Sequence, residues 1–334
     1  MNIFFGGTGF IGIHYAIHLL SQSDDTIVLA DIKDVLPCFR FPAIEEGLKS
    51  GRIVYIKADV RDRSSFSAIP AGPVSRIFNF AAIHREPGHE HHEYYVTNIP
   101  GAENVCAWAE ERGCNSIVFT SSIAVYEPTT VRKDESTVPA PISAYGGSKL
   151  AAELIHRTWQ AKDPATRKLV MVRPGVVYGP SEGGNVTRML KMVDRGLFVF
   201  IGNRDTRKAS IYVKELIAII EHLLSRPECV NLSNAVVPVP PSMGDYIAAI
   251  DKATGKKHFV PNLPYHLVHF LSYFVALVPP VAKKTGIDPM RVKKLRRINN
   301  IESHILPDTG YTYKYTLESA FADWYKDCIA DWKK

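Results

Sequence analysis

Tyr145 and Lys149 stand four residues apart in a stretch that reads as the start of a helix, so their side chains share one face. A phenol is a poor base at its ordinary pKa of about 10, and a neighbouring ammonium lowers that value by favouring the phenolate. Ser121 and Ser122 close a short apolar run, Ser116–Thr120, that reads as a strand. Together these side chains suit removal of a proton from a hydroxyl while a hydride leaves the same carbon. Tyr-x-x-x-Lys is common on helices of any kind, and it gains meaning only from what precedes it. Gly6-Gly7-Thr8-Gly9-Phe10-Ile11-Gly12 follows a first apolar run directly and opens a helical pattern. Glycines there allow a tight turn and close backbone approach, so that a helix N-terminus can face a pyrophosphate.

The elements that must position these residues are legible in the first half of the chain. Asn2–Phe5, Thr26–Ala30, Ile53–Lys57, Arg76–Phe80, Ser116–Thr120 and Leu169–Arg173 read as strands, with helices at Phe10–Ser21, Gly101–Arg112 and Ser143–Ala161. Continuous apolar strands with helices between them predict an α/β fold, a Rossmann-type doubly wound parallel sheet covered on both faces. After Pro174 proline and glycine become frequent, and Val186–Arg195 and Lys214–Leu224 read as helices between irregular pieces. The expected division is a dinucleotide-binding domain over 1–174, with part of 205–235 returning to it, and a smaller, mainly substrate-binding lobe over 175–334. Asp31 ends the second strand about 20 residues beyond the glycine turn, where a carboxylate takes ribose hydroxyls and repels a 2′-phosphate. NAD is therefore the expected cofactor, with Ile32, Asp59-Val60 and Ala81-Ala82 at the strand ends it would pass.

At this point the chain resembles a known family. The glycine turn, Asp31, Ser122, Tyr145 and Lys149, followed by Arg173-Pro174-Gly175-Val176-Val177-Tyr178-Gly179-Pro180, are similar to the extended short-chain dehydrogenases/reductases, which include sugar-nucleotide epimerases, dehydratases and reductases. The resemblance implies that Ser122 binds the reacting hydroxyl, Tyr145 is the acid/base, and Lys149 holds the nicotinamide ribose and tunes Tyr145. It also implies Gly6, Gly9, Phe10, Ile11 and Gly12 as cofactor contacts, His84 facing a sugar, and a homodimer formed through two helices of each subunit. The family's dehydratases carry an acidic pair just after the serine, whereas Ile123-Ala124 stand there in this chain, as in hexose 4-epimerases. Glu127 departs from the family pattern, in which a glycine follows the tyrosine, and has no assigned role. The implied reaction is proton removal from a sugar O4 by Tyr145, oxidation to a 4-keto sugar, and reduction on the opposite face.

The second half carries a narrower likeness. Gly184-Asn185-Val186, Leu190-Lys191, Tyr212-Val213, Leu263-Pro264-Tyr265, Arg291-Val292-Lys293-Lys294 and Tyr313-Lys314-Tyr315-Thr316-Leu317 resemble bacterial surface-polysaccharide hexosamine 4-epimerases. That implies a sugar linked to UDP or to polyprenyl pyrophosphate, with Asn185, Lys208 and Arg291 on the pyrophosphate. A 4-keto-sugar reductase, a hydroxysteroid-type dehydrogenase and a non-catalytic NAD-binding scaffold stay open beside it. Asp31 speaks against an NADPH-consuming reductase, and the retained Tyr145 and Lys149 speak against a scaffold.

The chain has 334 residues and a formal charge of +6, with 46% hydrophobic residues. Five scattered cysteines and no basic segment before an early apolar run lead to the expectation of a cytoplasmic protein with free thiols. Lys283, Lys284, Arg291, Lys293, Lys294, Arg296 and Arg297 crowd one stretch. No nucleic-acid module or interleaved stacking aromatics accompany them, so nucleic acid is not an expected partner. They follow the apolar segment Tyr265–Val278, too short for the ~20 residues a membrane span needs. That segment has two readings: a buried helix of the small lobe, or a helix lying in a membrane interface with basic neighbours on lipid phosphates, at the inner membrane face. His84, His89, His91 and His92 lack acidic or cysteine partners at metal-binding spacing, and no metal is expected.

Overall fold

The computed structural model describes residues 1–86, 88–277, 289, 292–293 and 298–332. β1 (Asn2–Phe5) leads through α1 (Phe10–Leu20) to β2 (Ile27–Asp31), and α2 (Pro42–Lys49) precedes β3 (Ile53–Lys57). β4 (Arg76–Asn79), α3 (His91–Glu111) and β5 (Ser116–Thr120) follow, then a short β6 (Thr129–Lys133), α4 (Ala144–Ala161) and β7 (Lys168–Pro174). Beyond them lie β8 (Val176–Tyr178), α5 (Asn185–Asp194), β9 (Phe200–Ile201), β10 (Ser210–Tyr212), α6 (Val213–Ser225), β11 (Val230–Ala235), α7 (Met243–Thr254), β12 (Asn262–Leu263) and α8 (Tyr265–Ala276). β13 (Asn299–Ile301), α9 (Ile305–Asp308) and α10 (Leu317–Asp327) complete the described elements.

Seven strands form one sheet in the order β11-β7-β5-β4-β1-β2-β3, every pairing parallel. Successive side chains of a strand point to opposite faces, and both faces are buried here. Phe4, Phe78, Val118 and Val170 pack with Tyr15 of α1 and Leu216 and Ile220 of α6, and the Phe4 and Phe78 rings stack at 4.3 Å. Ile3, Phe5, Ile77, Phe119 and Met171 pack on the other face with Trp108 of α3 and Trp159 of α4. The doubly wound sheet is thus the one expected. The order in which successive strands are laid down reverses between β1 and β4, and open sheets of this kind bind ligands at the carboxyl ends there.

Among the elements that differ from the sequence reading, three show why. α3 begins at His91, ten residues before the expected start, because Glu90 and Glu93 form a reciprocal cap over a polar first turn and Pro100 is accommodated inside the helix. β11, absent from the expected strands, is the seventh strand: its sequence Val230-Asn-Leu-Ser-Asn-Ala alternates polar and apolar residues and gives no continuous apolar signal. α8 is not a buried helix. Only Ser272 is buried, while Leu267, Phe270, Tyr273 and Phe274 are each more than half exposed and Leu271 nearly so. No helix of the described residues is long and apolar enough to cross a membrane.

A third core, made of Tyr178, Val186, Leu190, Tyr212, Tyr246, Phe321 and Trp324, sits under α5, α7 and α10. Buried carboxylates fasten the later segments to the sheet. Glu215 of α6 accepts from the backbone N–H groups of Lys314 and Tyr315 at 3.0 and 2.7 Å. Glu135 accepts from the hydroxyl of Ser303 at 2.6 Å and the N–H of His304 at 3.0 Å.

Candidate active site

Space decides the glycine turn. Gly6 has φ +75°, and a Cβ there would meet the Ala81 nitrogen at 2.6 Å, so the turn after β1 abuts the end of β4. A Cβ on Gly12 would lie 2.6 Å from the Gly7 carbonyl oxygen. Gly9 caps α1 with no side-chain hydrogen bond, which leaves the first N–H groups of the helix without a side-chain cap. Thr8 Oγ1 is buried there with no hydrogen-bond partner. Phe10 and Ile11 are half-buried at the same turn. The cradle therefore fits a pyrophosphate, held by backbone N–H groups and the positive end of the helix.

Asp31, buried at the end of β2, accepts from the N–H of Thr8 at 3.1 Å and of Lys33 at 3.0 Å. The carboxylate is thereby fixed beside the glycine turn, where ribose hydroxyls would lie; Ile32 next to it is exposed. Asp59 is paired with Arg61 at 2.6 Å, and the hydrogen bonds from Arg61 hold its carboxyl below the ordinary range. Val60 is buried against Gly101 of α3, so this pair offers mainly backbone to a ligand. Ala81 and Ala82, half-buried, line the other side of the turn.

The catalytic candidates meet where α4 crosses the end of β5. Ser143 caps α4 by accepting from the N–H of Gly146 at 3.1 Å, which fixes the first turn that carries Tyr145. Ser122 faces the Tyr145 hydroxyl. Desolvation pushes the Tyr145 phenol up to about 12, Ser122 opposing the rise and Glu86 and Tyr94 adding to it. Lys149, buried, donates to the Thr120 carbonyl at 2.8 Å and lies 4.8 Å from the centre of the Phe119 ring. Burial brings its ammonium down to about 7, with Glu153 opposing the drop. The pocket thus disfavours the charged form of both groups.

Sequence reasoning missed two residues that build this site. Asn98 of α3 clamps the loop after β4, accepting from the Ile83 N–H at 2.9 Å and donating to the Ile83 carbonyl at 3.1 Å and Ser148 at 2.9 Å. Glu153 receives Ser121 at 2.5 Å and the Arg173 guanidinium in a two-bonded fork at 2.8 and 2.6 Å. Its position one turn beyond Lys149 was a readable signal. His84 follows the alanines on the clamped loop, its imidazole held below the ordinary value by desolvation and by the charges of Lys149 and Arg85.

The substrate candidates of the second half are less closely gathered. Asn185 is the first residue of α5 and accepts from Arg188 at 2.7 Å. Lys208 precedes β10, its N–H donating to the Pro241 carbonyl at 3.0 Å. Arg291 lies outside the described residues, as do Val278, Lys283, Lys284, Lys294, Arg296 and Arg297. Glu127 pairs with Lys133 of β6 at 3.1 Å, a local tie rather than a contact of the reacting groups.

Compared with known proteins, residues 3–236 match the model of the NAD dependent epimerase/dehydratase family. An N-acetyl-alpha-D-glucosaminyl-diphospho-ditrans,octacis-undecaprenol 4-epimerase of Escherichia coli O157:H7 is 31% identical over 261 residues, 78% of this chain and 78% of that one. Among solved structures, a UDP-glucuronic acid 4-epimerase from Bacillus cereus in complex with NAD superposes with a TM-score of 0.74 at 18% identity, covering 100% of both chains. The UDP-glucose 4-epimerase of Thermotoga maritima with UDP-glucose gives a TM-score of 0.74 at 18% identity, covering 98% and 99%. At these identities the two structures speak for the fold.

Proposed function

The chain belongs to the NAD dependent epimerase/dehydratase family, and within it we propose a 4-epimerase of an N-acetylhexosamine carried on UDP or on polyprenyl pyrophosphate. The observation that carries this reading is the gathering of Ser122, Tyr145 and Lys149 where α4 meets the end of β5, with Ile123 and Ala124 where dehydration would need an acid and a base. The identity to the E. coli enzyme supports the lipid-linked carrier.

Residues 1–174 carry the cofactor in this reading, and 175–334 mainly the substrate. The glycine cradle holds the pyrophosphate of NAD, Asp31 its ribose, and Lys149 the nicotinamide ribose. Bound NAD would supply the acceptor, and then the donor, of the C4 hydride. Ser122 binds the sugar O4, and Tyr145 accepts its proton and later returns it. Asp59-Val60 and Ala81-Ala82 offer the walls, His84 faces the sugar, and Asn185, Lys208 and Arg291 take the pyrophosphate by hydrogen bond and charge. Two copies pair through α3 and α4, whose Tyr95, Val96 and Leu154 are exposed. The protein sits in the cytoplasm, with α8 against the membrane surface.

The test is to incubate the purified protein, with no added cofactor, with UDP-N-acetylglucosamine and separately with its polyprenyl-pyrophosphate counterpart, and to follow C4 by NMR. Inversion is expected, and the carrier that reacts identifies the substrate. A protein that reduces a 4-keto sugar only when NADPH is supplied, and inverts neither substrate, would be a reductase and would overturn the proposal.

A further inference from the structure

Tyr145, Lys149 and Glu153 occupy successive turns of α4 and reach three consecutive residues at the end of β5. Tyr145 meets Ser122, Lys149 the Thr120 carbonyl at 2.8 Å, and Glu153 the Ser121 hydroxyl at 2.5 Å. Glu153 is 1% and Arg173 3% exposed, and their fork is closed by Arg173 donating to the Tyr126 hydroxyl at 2.6 Å. Tyr126 in turn donates to Asn234 of β11 at 3.2 Å. A buried ion pair is costly to desolvate and is weak evidence for stability alone. Its place directly behind the reacting pair calls for another account.

We propose that Glu153 and Arg173 are positioning residues for the reaction: Glu153 locks α4 to the end of β5 and sets its negative charge behind Lys149, and Arg173 moderates that charge. This rests on the reading of Tyr145 and Lys149 given above. The sign follows from Coulomb's law in a poorly screened interior. Removing the carboxylate leaves Lys149 facing the Arg173 cation, which disfavours its ammonium. Removing Arg173 leaves the full carboxylate charge, which favours it. The other titratable groups around Lys149 are Tyr145 on α4, His156 two turns on, and His84 on the loop after β4. Glu86 and, from α3, Tyr94 face Tyr145 itself.

The experiment follows the Cε signal of Lys149 by NMR in full-length protein labelled with 13C-lysine, assigned with Lys149→Met, across pH. Turnover is measured over the same range. With Glu153→Gln the Lys149 midpoint falls by about one pH unit, and with Arg173→Gln it rises. The pH at which turnover stops rising moves with each. If Glu153→Gln does not fold, the double variant Glu153→Gln, Arg173→Gln takes its place and shifts the midpoint down by less. Glu153→Asp, which keeps the charge, holds the midpoint while turnover drops through the weakened Ser121 contact. Midpoints that stay put, or move in the same direction in both single variants, overturn the proposal. The NMR titration needs no turnover, so a protein without epimerase activity would overturn the reading of the reaction and leave this result standing.

Discussion

Tyr145 and Lys149 lie in a space that disfavours the charge of both. Desolvation lifts the phenol to about 12 and lowers the ammonium to about 7. The sign of the pH response follows. Phenolate is gained and ammonium is lost as pH rises, so the form carrying both charges rises up to the Lys149 value and falls only above the Tyr145 value. Lys149→Met takes away the positive neighbour and moves the rising limb of kcat/KM to higher pH, with a rate loss on the order of 10²–10⁴. A pH profile whose rising limb stays in place would show that Lys149 only binds ribose. These residues were legible in the sequence because helix spacing fixes which side chains share a face. Asn98 was not, since nothing about an isolated asparagine says that it will close a hydrogen-bonded clamp.

α4 carries the chemistry because its first turn packs without a side chain against the loop that holds Ser122. A Cβ on Gly146 would lie 2.1 Å from the Ala124 carbonyl oxygen, whereas one on Gly147 would meet the Tyr95 hydroxyl at 2.7 Å, the far end of a half-exposed side chain. Gly146→Ala therefore costs about 2 kcal/mol by overpacking and lowers kcat by moving Tyr145 from Ser122. Gly147→Ala costs little, because Tyr95 can swing aside and alanine favours the helix. Thermal unfolding and kcat of the two variants check this, and equal effects would sink it. Of the elements, β1, β2, β5 and β7 announced themselves as unbroken apolar runs. The first half of α3 did not, because its opening residues His91, His92 and Glu93 are polar and Pro100 reads as a break. β11 hid behind alternating Asn and Ser that bond the segments around Glu135 rather than face a layer of apolar side chains.

At the scale of the molecule, the open question left by the sequence was where α8 points. Periodicity cannot distinguish a helix facing a core from one facing lipid, since both are apolar; only its surroundings can. Phe270, Tyr273 and Phe274 stand 60%, 54% and 54% exposed, and a dense group of lysines and arginines follows in the chain. In the reading proposed above, such a helix would settle into a bilayer interface through apolar burial with charge attraction to anionic headgroups. The protein is expected to sediment with vesicles containing anionic lipid at low salt, and Phe270→Glu with Phe274→Glu to remain in the supernatant. Sedimentation unchanged by the two substitutions would assign α8 to another partner.

The order of the sheet has a consequence for how the protein is made. β1 leaves the ribosome first and ends up in the middle of the sheet, so each later strand adds to an edge already present: β2 and β3 on one side, β4, β5, β7 and finally β11 on the other. The nucleotide cradle can thus exist while much of the chain is still being translated. The lobe beside it cannot, because Phe321 and Trp324 fill its core and Glu215 waits, buried, for the N–H groups of Lys314 and Tyr315. Until those residues emerge, the nascent chain holds the strands of the sheet beside apolar surface that is still open. It is in that interval that a chaperone would have the most surface to protect.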